Sequence, residues 1–247
     1  MVHGDFGHSF KDNRQVLATV LQKIPVTAEL TVAALLFAWM IAIPAGILAG
    51  WRRRTAVDYT ASAAALTGLS IPNFWLSIML IYLFAVHLRW LPASGFVPLT
   101  EDLGLNLKSI VMPAFVLGAV FAAVVMRQLR SSVLEVLAAD YVRTANAKGL
   151  GAAGILLRHV LRNAMIPVIT VMGIQAGLLL GGAVITESIF ALPGLGRLAV
   201  ESIYGRDYPM LEGVVMFSAF AVLFINLVVD VVYSLVDPRI KLAGGRS

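Results

Sequence analysis

The segment PVTAELTVAALLFAWMIAIPAGILA, residues 25–49, decides the fold because it is long, apolar and carries one charged side chain, Glu29. A helix of roughly 20 apolar residues crosses the hydrocarbon core of a bilayer. Four further segments have a similar character, so the sequence predicts five membrane-spanning helices in an all-α protein. They cover about residues 25–49, 59–86, 110–126, 165–191 and 210–236.

The composition of the whole chain agrees with a membrane protein. Of its 247 residues, 59% are hydrophobic and 13% are charged, and the mean hydropathy is +0.86. Soluble domains are usually about 45–50% apolar and about 25% charged. The chain has no cysteine, which excludes disulfides and thiolate metal sites.

Several proline residues lie in or at the ends of the predicted spans. Pro25 suits a first helical turn, where its missing N–H costs nothing. Pro44, Pro72 and Pro167 are expected to kink their helices, which membrane bundles tolerate when neighbours satisfy the freed backbone groups. Asn73, directly after Pro72, is a candidate for that task.

Positive charges are distributed unevenly between the two sides of the predicted spans. Of 19 Lys and Arg residues, seven fall on the side of the N-terminus and twelve on the other side. Loops rich in Lys and Arg stay in the cytoplasm, so the sequence predicts a cytoplasmic C-terminus and, with five spans, an external N-terminus. The twelve are Arg52, Arg53, Arg54, Arg127, Arg130, Arg143, Lys148, Arg158, Arg162, Arg239, Lys241 and Arg246.

A basic segment interrupts the apolar runs between the third and fourth spans. Residues 131–149 predict a helix that begins at a Ser131 or Ser132 cap and ends where Gly149 adopts a left-handed conformation. Gly151 and Gly154 then predict a tight turn into a second short helix at 155–162. Such a pair suits either an interfacial position against anionic lipid headgroups or a docking contact with a cytosolic partner.

Small and polar residues in the last two spans allow two interpretations. Glycines four residues apart let helices pack backbone to backbone, and they would also form a smooth wall for a substrate path. Polar groups within the membrane are often functional, although a structural hydrogen bond or ion pair, such as Asp230 with Arg127 or Arg130, explains them equally. The candidates for packing or the path are Gly173, Gln175, Gly177, Gly181, Glu187, Asn226 and Asp230.

No motif for catalysis or metal binding is present in the sequence. There is no His-Glu-x-x-His and no Gly-x-Ser-x-Gly pattern, so no catalytic residue is predicted and the chain is not expected to be an enzyme. The histidines show no metal-ligand spacing, so no metal site is predicted. They are His3, His8, His87 and His159.

Five stretches together resemble one family of membrane proteins. YVRTANAKGL (141–150) resembles the cytoplasmic loop signature of permease subunits in ATP-binding-cassette (ABC) importers. The other matches point to the dipeptide/oligopeptide/nickel permease branch. They are LSIPNFWLSIMLIYLF (69–84), ITESIFALPGLGRLAVESI (185–203), GRDYPMLEG (205–213) and DPRIKL (237–242).

The cytoplasmic loop departs from the general pattern of that family, which is Glu-Ala-Ala, three residues, then Gly. When the pattern is aligned on Gly149, its Glu-Ala-Ala falls at Arg143, Thr144 and Ala145, so only the last alanine and the glycine match. This departure is typical of the peptide branch. The general pattern also ends in a proline, which falls at Arg162 here. The resemblance is therefore stronger for residues 141–150 than for the second half of the loop.

The resemblance implies the type I ABC importer permease fold, which has six spans and both ends inside. The five spans found here then imply that the first helix of the family is absent from this chain. The expected layout is an external N-terminal segment at 1–24, a permease domain at 25–238 and a cytoplasmic tail at 239–247. Within the domain, 127–162 would form the coupling loop and 192–209 the external loop.

The same resemblance implies a function in transport. The chain would be a multi-pass subunit of the bacterial cytoplasmic membrane that translocates di- or oligopeptides. Its partners would be a second, homologous permease, two cytosolic ATPase subunits that bind ATP and Mg²⁺, and an external substrate-binding protein, while the chain itself needs no cofactor. Import of nickel or another small solute by the same machinery is an alternative, and an ion-coupled secondary carrier is an alternative of another class.

Two sets of residues acquire roles through the resemblance. Contact with the ATPase subunit is expected for Tyr141, Val142, Arg143, Ala145, Ala147, Lys148, Gly149 and Leu150. Contact with the external binding protein is expected for Pro193, Gly194, Gly196, Arg206 and Asp207, unless the loop that holds them is a lid that packs on the bundle.

Overall fold

The computed structural model describes residues 6–236, with the side chains of 180–182, 230 and 232–236 outside the described set. Within that range the regular structure is helical, apart from one isolated bridge between His8 and Gln15, so the all-α prediction is confirmed. The helices are α1 (Val16–Trp51), α2 (Ala56–Ser70), α3 (Asn73–Leu80), α4 (Leu103–Leu137), α5 (Asp140–Ala147), α6 (Ala152–Ile155), α7 (Leu161–Ile189), α8 (Leu195–Gly205) and α9 (Tyr208–Val236). Two π-helical turns, Ile81–His87 and Leu156–Val160, follow α3 and α6 directly.

Four of the five predicted spans correspond to single helical stretches in the structure. Among the described residues, four helical stretches are individually long and apolar enough to cross a membrane. The predicted span at 59–86 is divided between α2 and α3 with its π turn, which meet at an angle of 101°, the geometry of a broken span or of a re-entrant loop. The first span is longer than predicted because α1 begins at Val16, so Pro25 lies inside the helix and not in its first turn.

The break between α2 and α3 occurs at Pro72, as predicted. Ile71 before it is extended, with φ −82° and ψ 121°, which is the conformation that a following proline imposes. The new helix starts with a hydrogen bond from the Leu76 amide to the Pro72 carbonyl at 3.0 Å. Helices α1 and α7, in contrast, continue without interruption through Pro44 and Pro167.

Helices α1 and α4 form the central pair of the bundle, and glycines let their backbones approach closely. A Cβ atom placed on Gly118 of α4 would lie 2.6 Å from the Ala34 carbonyl oxygen of α1. On α1, a Cβ on Gly46 would lie 2.9 Å from the Met126 carbonyl oxygen. Small residues at such crossings allow close van der Waals packing between membrane helices.

The end of α4 differs from the sequence prediction. No new helix starts at Ser131 or Ser132, because α4 runs on to Leu137. The apolar stripe explains this, since the buried side chains of Leu129 and Val133 continue the packing against α1. The helix stops at Ala138, and the extended Ala139 (ψ 145°) separates it from α5.

Candidate functional site

Helix α5 is a short, exposed helix that ends at a glycine. Gly149 follows its last turn with φ +75°, so the predicted left-handed conformation is confirmed. The Gly149 amide donates to the Asn146 carbonyl at 3.0 Å, and the Leu150 amide donates to the Ala145 carbonyl at 3.3 Å. A residue with a Cβ is strained in this conformation, so the glycine fixes the exact end of α5.

The residues expected to contact an ATPase subunit lie on two faces of α5. Val142 and Ala145 are 1% and 5% exposed and belong to the buried cluster of Val133, Ile155 and Val160. These two residues anchor α5 to its own bundle, and their contact with a partner stays a prediction. The exposed face contains Tyr141, Arg143, Ala147, Lys148, Gly149 and Leu150.

The second half of the loop does not form the predicted separate helix at 155–162. Gly151 is the extended residue before α6, whereas Gly154 lies within α6 and not in a turn. α6 and the following π turn run directly into α7. Ile155 and Val160 are buried, so apolar packing extends α7 toward the loop and leaves no room for a second break.

The glycines of α7 pack against α9. A Cβ on Gly173 would overlap the Val229 side chain, and one on Gly177 would lie 3.3 Å from Asn226 Oδ1. Gln175 is buried and Asn226 is exposed. The packing interpretation therefore accounts for Gly173 and Gly177, while Gly181 and Asp230 are outside the residues whose side chains are described.

Glu187 joins three helices at one end of the bundle. It lies near the end of α7, is fully buried, and accepts a 2.6 Å hydrogen bond from Thr27 Oγ1 of α1. Its other carboxyl oxygen accepts from the Arg197 amide in the first turn of α8 at 3.0 Å. The Leu195 amide in turn donates to Thr27 Oγ1 at 2.8 Å. A carboxyl group is favoured at this place because the first amides of a helix lack partners within it.

Two glycines make room for this arrangement. A Cβ on Gly194 would overlap the Glu187 carboxyl group, and one on Gly196 would lie 2.5 Å from Val184 Cα. Both glycines are buried and pack against α7, and their contact with a binding protein stays a prediction. Pro193 is half-buried, and Arg206 is exposed in a left-handed conformation with φ +53°.

Asp207 connects the N-terminal segment to the turn between α8 and α9. It is 5% exposed, and its carboxyl group accepts hydrogen bonds from Ser9 Oγ and, at 3.1 Å, from the Phe10 amide. Its carboxyl group therefore has partners within the chain, and its contact with a binding protein stays a prediction. The sequence analysis missed this connection, although an aspartate directly before a helix is typical of a cap.

We predict that Asp207→Ala loosens the N-terminal segment. The substitution leaves the Phe10 amide and the Ser9 hydroxyl without their acceptor, which costs about 1–3 kcal/mol. Hydrogen exchange at residues 9–14 should become faster, whereas exchange in α4 should not change. Glu201→Ala is the control, since Glu201 is exposed on α8 and lies outside the measured segment; equal exchange in wild type and Asp207→Ala would contradict the assignment.

A buried ion pair that the sequence analysis did not identify lies near the other end of the bundle. Arg130 of α4 donates through Nε to Asp58 Oδ1 of α2 at 2.5 Å. The sequence suggested Asp230 as a partner for Arg130, and no local pattern pointed to Asp58. Within the described residues, no group of three or more metal-ligating side chains is present.

Comparison with known proteins identifies the family. The model of the family described as "Binding-protein-dependent transport system inner membrane component" matches residues 42–242. The dipeptide transport system permease protein DppB of Escherichia coli K12 is 42% identical, with 98% of this chain and 78% of that protein aligned. DppB of Alkalihalophilus pseudofirmus is 41% identical over 96% and 78%. The di/tripeptide transport system permease protein DppB of Pseudomonas aeruginosa is 40% identical over 98% and 78%.

Solved structures share the fold. A chain of the inward-facing MetNI methionine ABC transporter superimposes with a TM-score of 0.71 at 19% identity, covering 90% of this chain and 97% of that chain. A chain of an amino acid ABC transporter solved with histidines gives 0.61 at 15% identity over 91% and 95%. The predicted type I ABC importer permease fold is confirmed. The chain belongs to the family of binding-protein-dependent transport system inner membrane components, as an ABC importer permease of the peptide branch.

Proposed function

We propose that this chain is the permease subunit of an ATP-driven importer that carries di- or oligopeptides across the bacterial cytoplasmic membrane. The observation that carries the proposal is the 40–42% identity to dipeptide and di/tripeptide permeases over nearly the whole chain. The alignments include α1 through α9, and therefore both the helices and the loops that would meet partners.

The exposed face of α5 is the proposed contact with the cytosolic ATPase subunit. Arg143, Lys148 and the exposed Asp140, which pairs with Arg143 at 3.3 Å, leave this face with one net positive charge. Tyr141 adds a large side chain that is 46% exposed. The buried face of α5 holds it to the bundle through Val142 and Ala145. A push on the exposed face would thus be passed to the ends of α4 and α7.

The charge distribution supports an orientation with α5 in the cytoplasm. Arg52–Arg54, α5 and the C-terminus would then lie inside, and the turn between α8 and α9 would lie outside. Pro193 and Arg206 are the predicted external residues that remain accessible to a binding protein. ATP hydrolysis would take place on the separate subunits, which bind ATP and Mg²⁺, and a second permease would complete the path.

Transport by the complete assembly tests the proposed function. Proteoliposomes with both permeases and both ATPase subunits, supplied with the binding protein, should accumulate a labelled dipeptide when ATP is present on the cytoplasmic side. A proton ionophore should leave uptake intact, because the energy comes from ATP and not from an ion gradient. Uptake that the ionophore abolishes would favour an ion-coupled carrier, and uptake of Ni²⁺ without peptide would overturn the substrate assignment.

We predict that Gly149→Asp weakens binding of the ATPase subunit. The substitution strains the left-handed end of α5 and adds a negative charge where the helix dipole disfavours one. Apart from its two chain neighbours, no atom of residues 6–236 is found within 4 Å of the new Cβ, so folding should be little affected. Peptide uptake should fall at least about tenfold, and co-purification of the ATPase subunit with the membrane complex should fall with it.

Gly95→Asp provides a matched control for that substitution. Gly95 also has positive φ (+100°), has open space around its Cβ position, and is exposed. It lies between the π turn after α3 and the start of α4, on the side proposed to be external. ATPase binding should therefore survive Gly95→Asp, and equal loss in both variants would contradict the placement of the contact at α5.

A further inference from the structure

The first turn of α2 is fixed to α4 by a two-point ion pair. In addition to the Nε contact, Arg130 donates through Nη2 to Asp58 Oδ2 at 3.0 Å. The Asp58 side chain is 4% exposed and that of Arg130 is 28% exposed. The Arg54 amide donates to Asp58 Oδ2 at 3.0 Å, so the carboxylate also holds the turn between α1 and α2. A buried pair offsets its desolvation through such further hydrogen bonds.

Few other buried contacts hold α2 to the bundle. Within α2, all of which the structure describes, Asp58 and Ala65 are the buried residues. Ala65 contributes one methyl group to the central cluster. Ala61 and Leu69 of α2 are partly buried against the same cluster. The ion pair adds a charged, hydrogen-bonded link between α2 and α4 to these apolar contacts.

Arg130 lies next to the buried cluster on which α5 packs. Its neighbours Leu129 and Val133 belong to the same buried cluster as Val142 and Ala145 of α5. The Arg130 carbonyl oxygen is 3.2 Å from the position that a Cβ on Gly50 of α1 would occupy. The residue thus lies at the junction of α1, α2 and α4, directly against the cluster on which α5 rests.

We propose that Asp58 and Arg130 are positioning residues that make α2 follow α4 when the ATPase subunit displaces α5. The inference rests on the proposed function as a permease. α2 is the first half of the broken span that bends at Pro72. The ion pair would pass the movement of α4 to that half, in addition to the apolar contacts of Ala61, Ala65 and Leu69.

The ratio of peptide transported to ATP hydrolysed tests this role in proteoliposomes of the full assembly. Asp58→Asn keeps an oxygen for the Arg54 amide but removes the charge, and it should lower the ratio about tenfold, within the usual range of coupling between sites. Arg130→Gln should do the same, and Arg130→Lys should lower the ratio less because it retains the charge. Binding of the ATPase subunit should be normal in all three variants.

Glu201→Gln is the matched control. It removes the exposed ion pair of α8 in which Arg197 Nε lies 2.7 Å from Glu201 Oε1. Exposed ion pairs of this kind contribute little to stability. The ratio of peptide transported to ATP hydrolysed in Glu201→Gln should equal that of wild type. If Asp58→Asn does not reach the membrane, Arg130→Gln carries the same test.

Distance measurements give a second readout. The chain has no cysteine, so spin labels can be placed on exposed Thr60→Cys of α2 and Ser131→Cys of α4. With the ion pair intact, the distance between the two labels should be the same with and without trapped ATP. In Asp58→Asn the distribution of this distance should become broader. A normal ratio and an unchanged distance in Asp58→Asn and Arg130→Gln would overturn the inference. A wild-type assembly that hydrolyses ATP without moving peptide would overturn the proposed function, and this inference with it.

Discussion

Replacement of Glu187 by alanine is expected to lower the free energy of unfolding by about 3–5 kcal/mol. The substitution leaves the Thr27 hydroxyl and the Arg197 amide without their acceptor in a fully buried place. Each orphaned donor costs about 1–3 kcal/mol, and the emptied volume next to Gly194 adds a cavity term. The start of α8 should detach from α7 before the rest of the bundle unfolds.

Thermal unfolding in detergent measures the effect of Glu187→Ala. At about 2–4 °C per kcal/mol for a chain of this size, the midpoint should fall by roughly 10 °C. Glu187→Gln, which keeps one oxygen acceptor, should cost less. Glu201→Ala is the control because Glu201 is exposed on α8, and its midpoint should change little. A Glu187→Ala protein as stable as wild type would show that the three-helix junction contributes little.

Gly118→Ala is expected to have the second large effect, about 3 kcal/mol of destabilisation. The new Cβ would lie 2.6 Å from the Ala34 carbonyl oxygen and 3.3 Å from Phe37 Cβ. The close atom belongs to the backbone, so α1 and α4 must move apart to accommodate it. Because this pair forms the centre of the bundle, the loss should reduce both the folded fraction in detergent and the amount of protein in the membrane.

Gly68→Ala is the matched control for Gly118→Ala. Gly68 also lies inside a helix, but the nearest atoms to its Cβ position are 3.8 Å away, an ordinary contact distance. Alanine is about 1 kcal/mol better than glycine in a helix interior, so Gly68→Ala should be neutral or stabilising. The two substitutions should thus have opposite signs in the same unfolding assay, and equal effects would contradict the close crossing of α1 and α4.

The spans could be predicted from sequence because each depends on a local property, the length of an apolar run. The break at Pro72 and the left-handed Gly149 were predictable for the same reason, since proline and glycine act on their own backbone. The exposed face of α5 could be predicted only in part. Residues 141–150 formed a recognisable pattern, but the division into a buried face at Val142 and Ala145 depends on the cluster below them.

The features that escaped prediction depend on residues far apart in the chain. Asp58 and Arg130 are separated by 72 positions, and Asp207 is 198 positions from its partner Ser9. Gly194 and Gly196 suggested a surface loop, because nothing in the local sequence shows that α7 covers them. The end of α4 was misplaced because Ser131 and Ser132 resemble caps, whereas the packing of Leu129 and Val133 against α1 extends the helix.

The bend at Pro72 also restricts which side of the molecule can face lipid tails. In an unbroken helix the Gly68 carbonyl oxygen would accept a hydrogen bond from residue 72, but proline has no N–H to give. Hydrocarbon offers no substitute donor, and a backbone carbonyl without one is unfavourable by several kcal/mol there. Ser70, two residues after Gly68, is exposed. The surface around the bend therefore requires water or another protein as its neighbour.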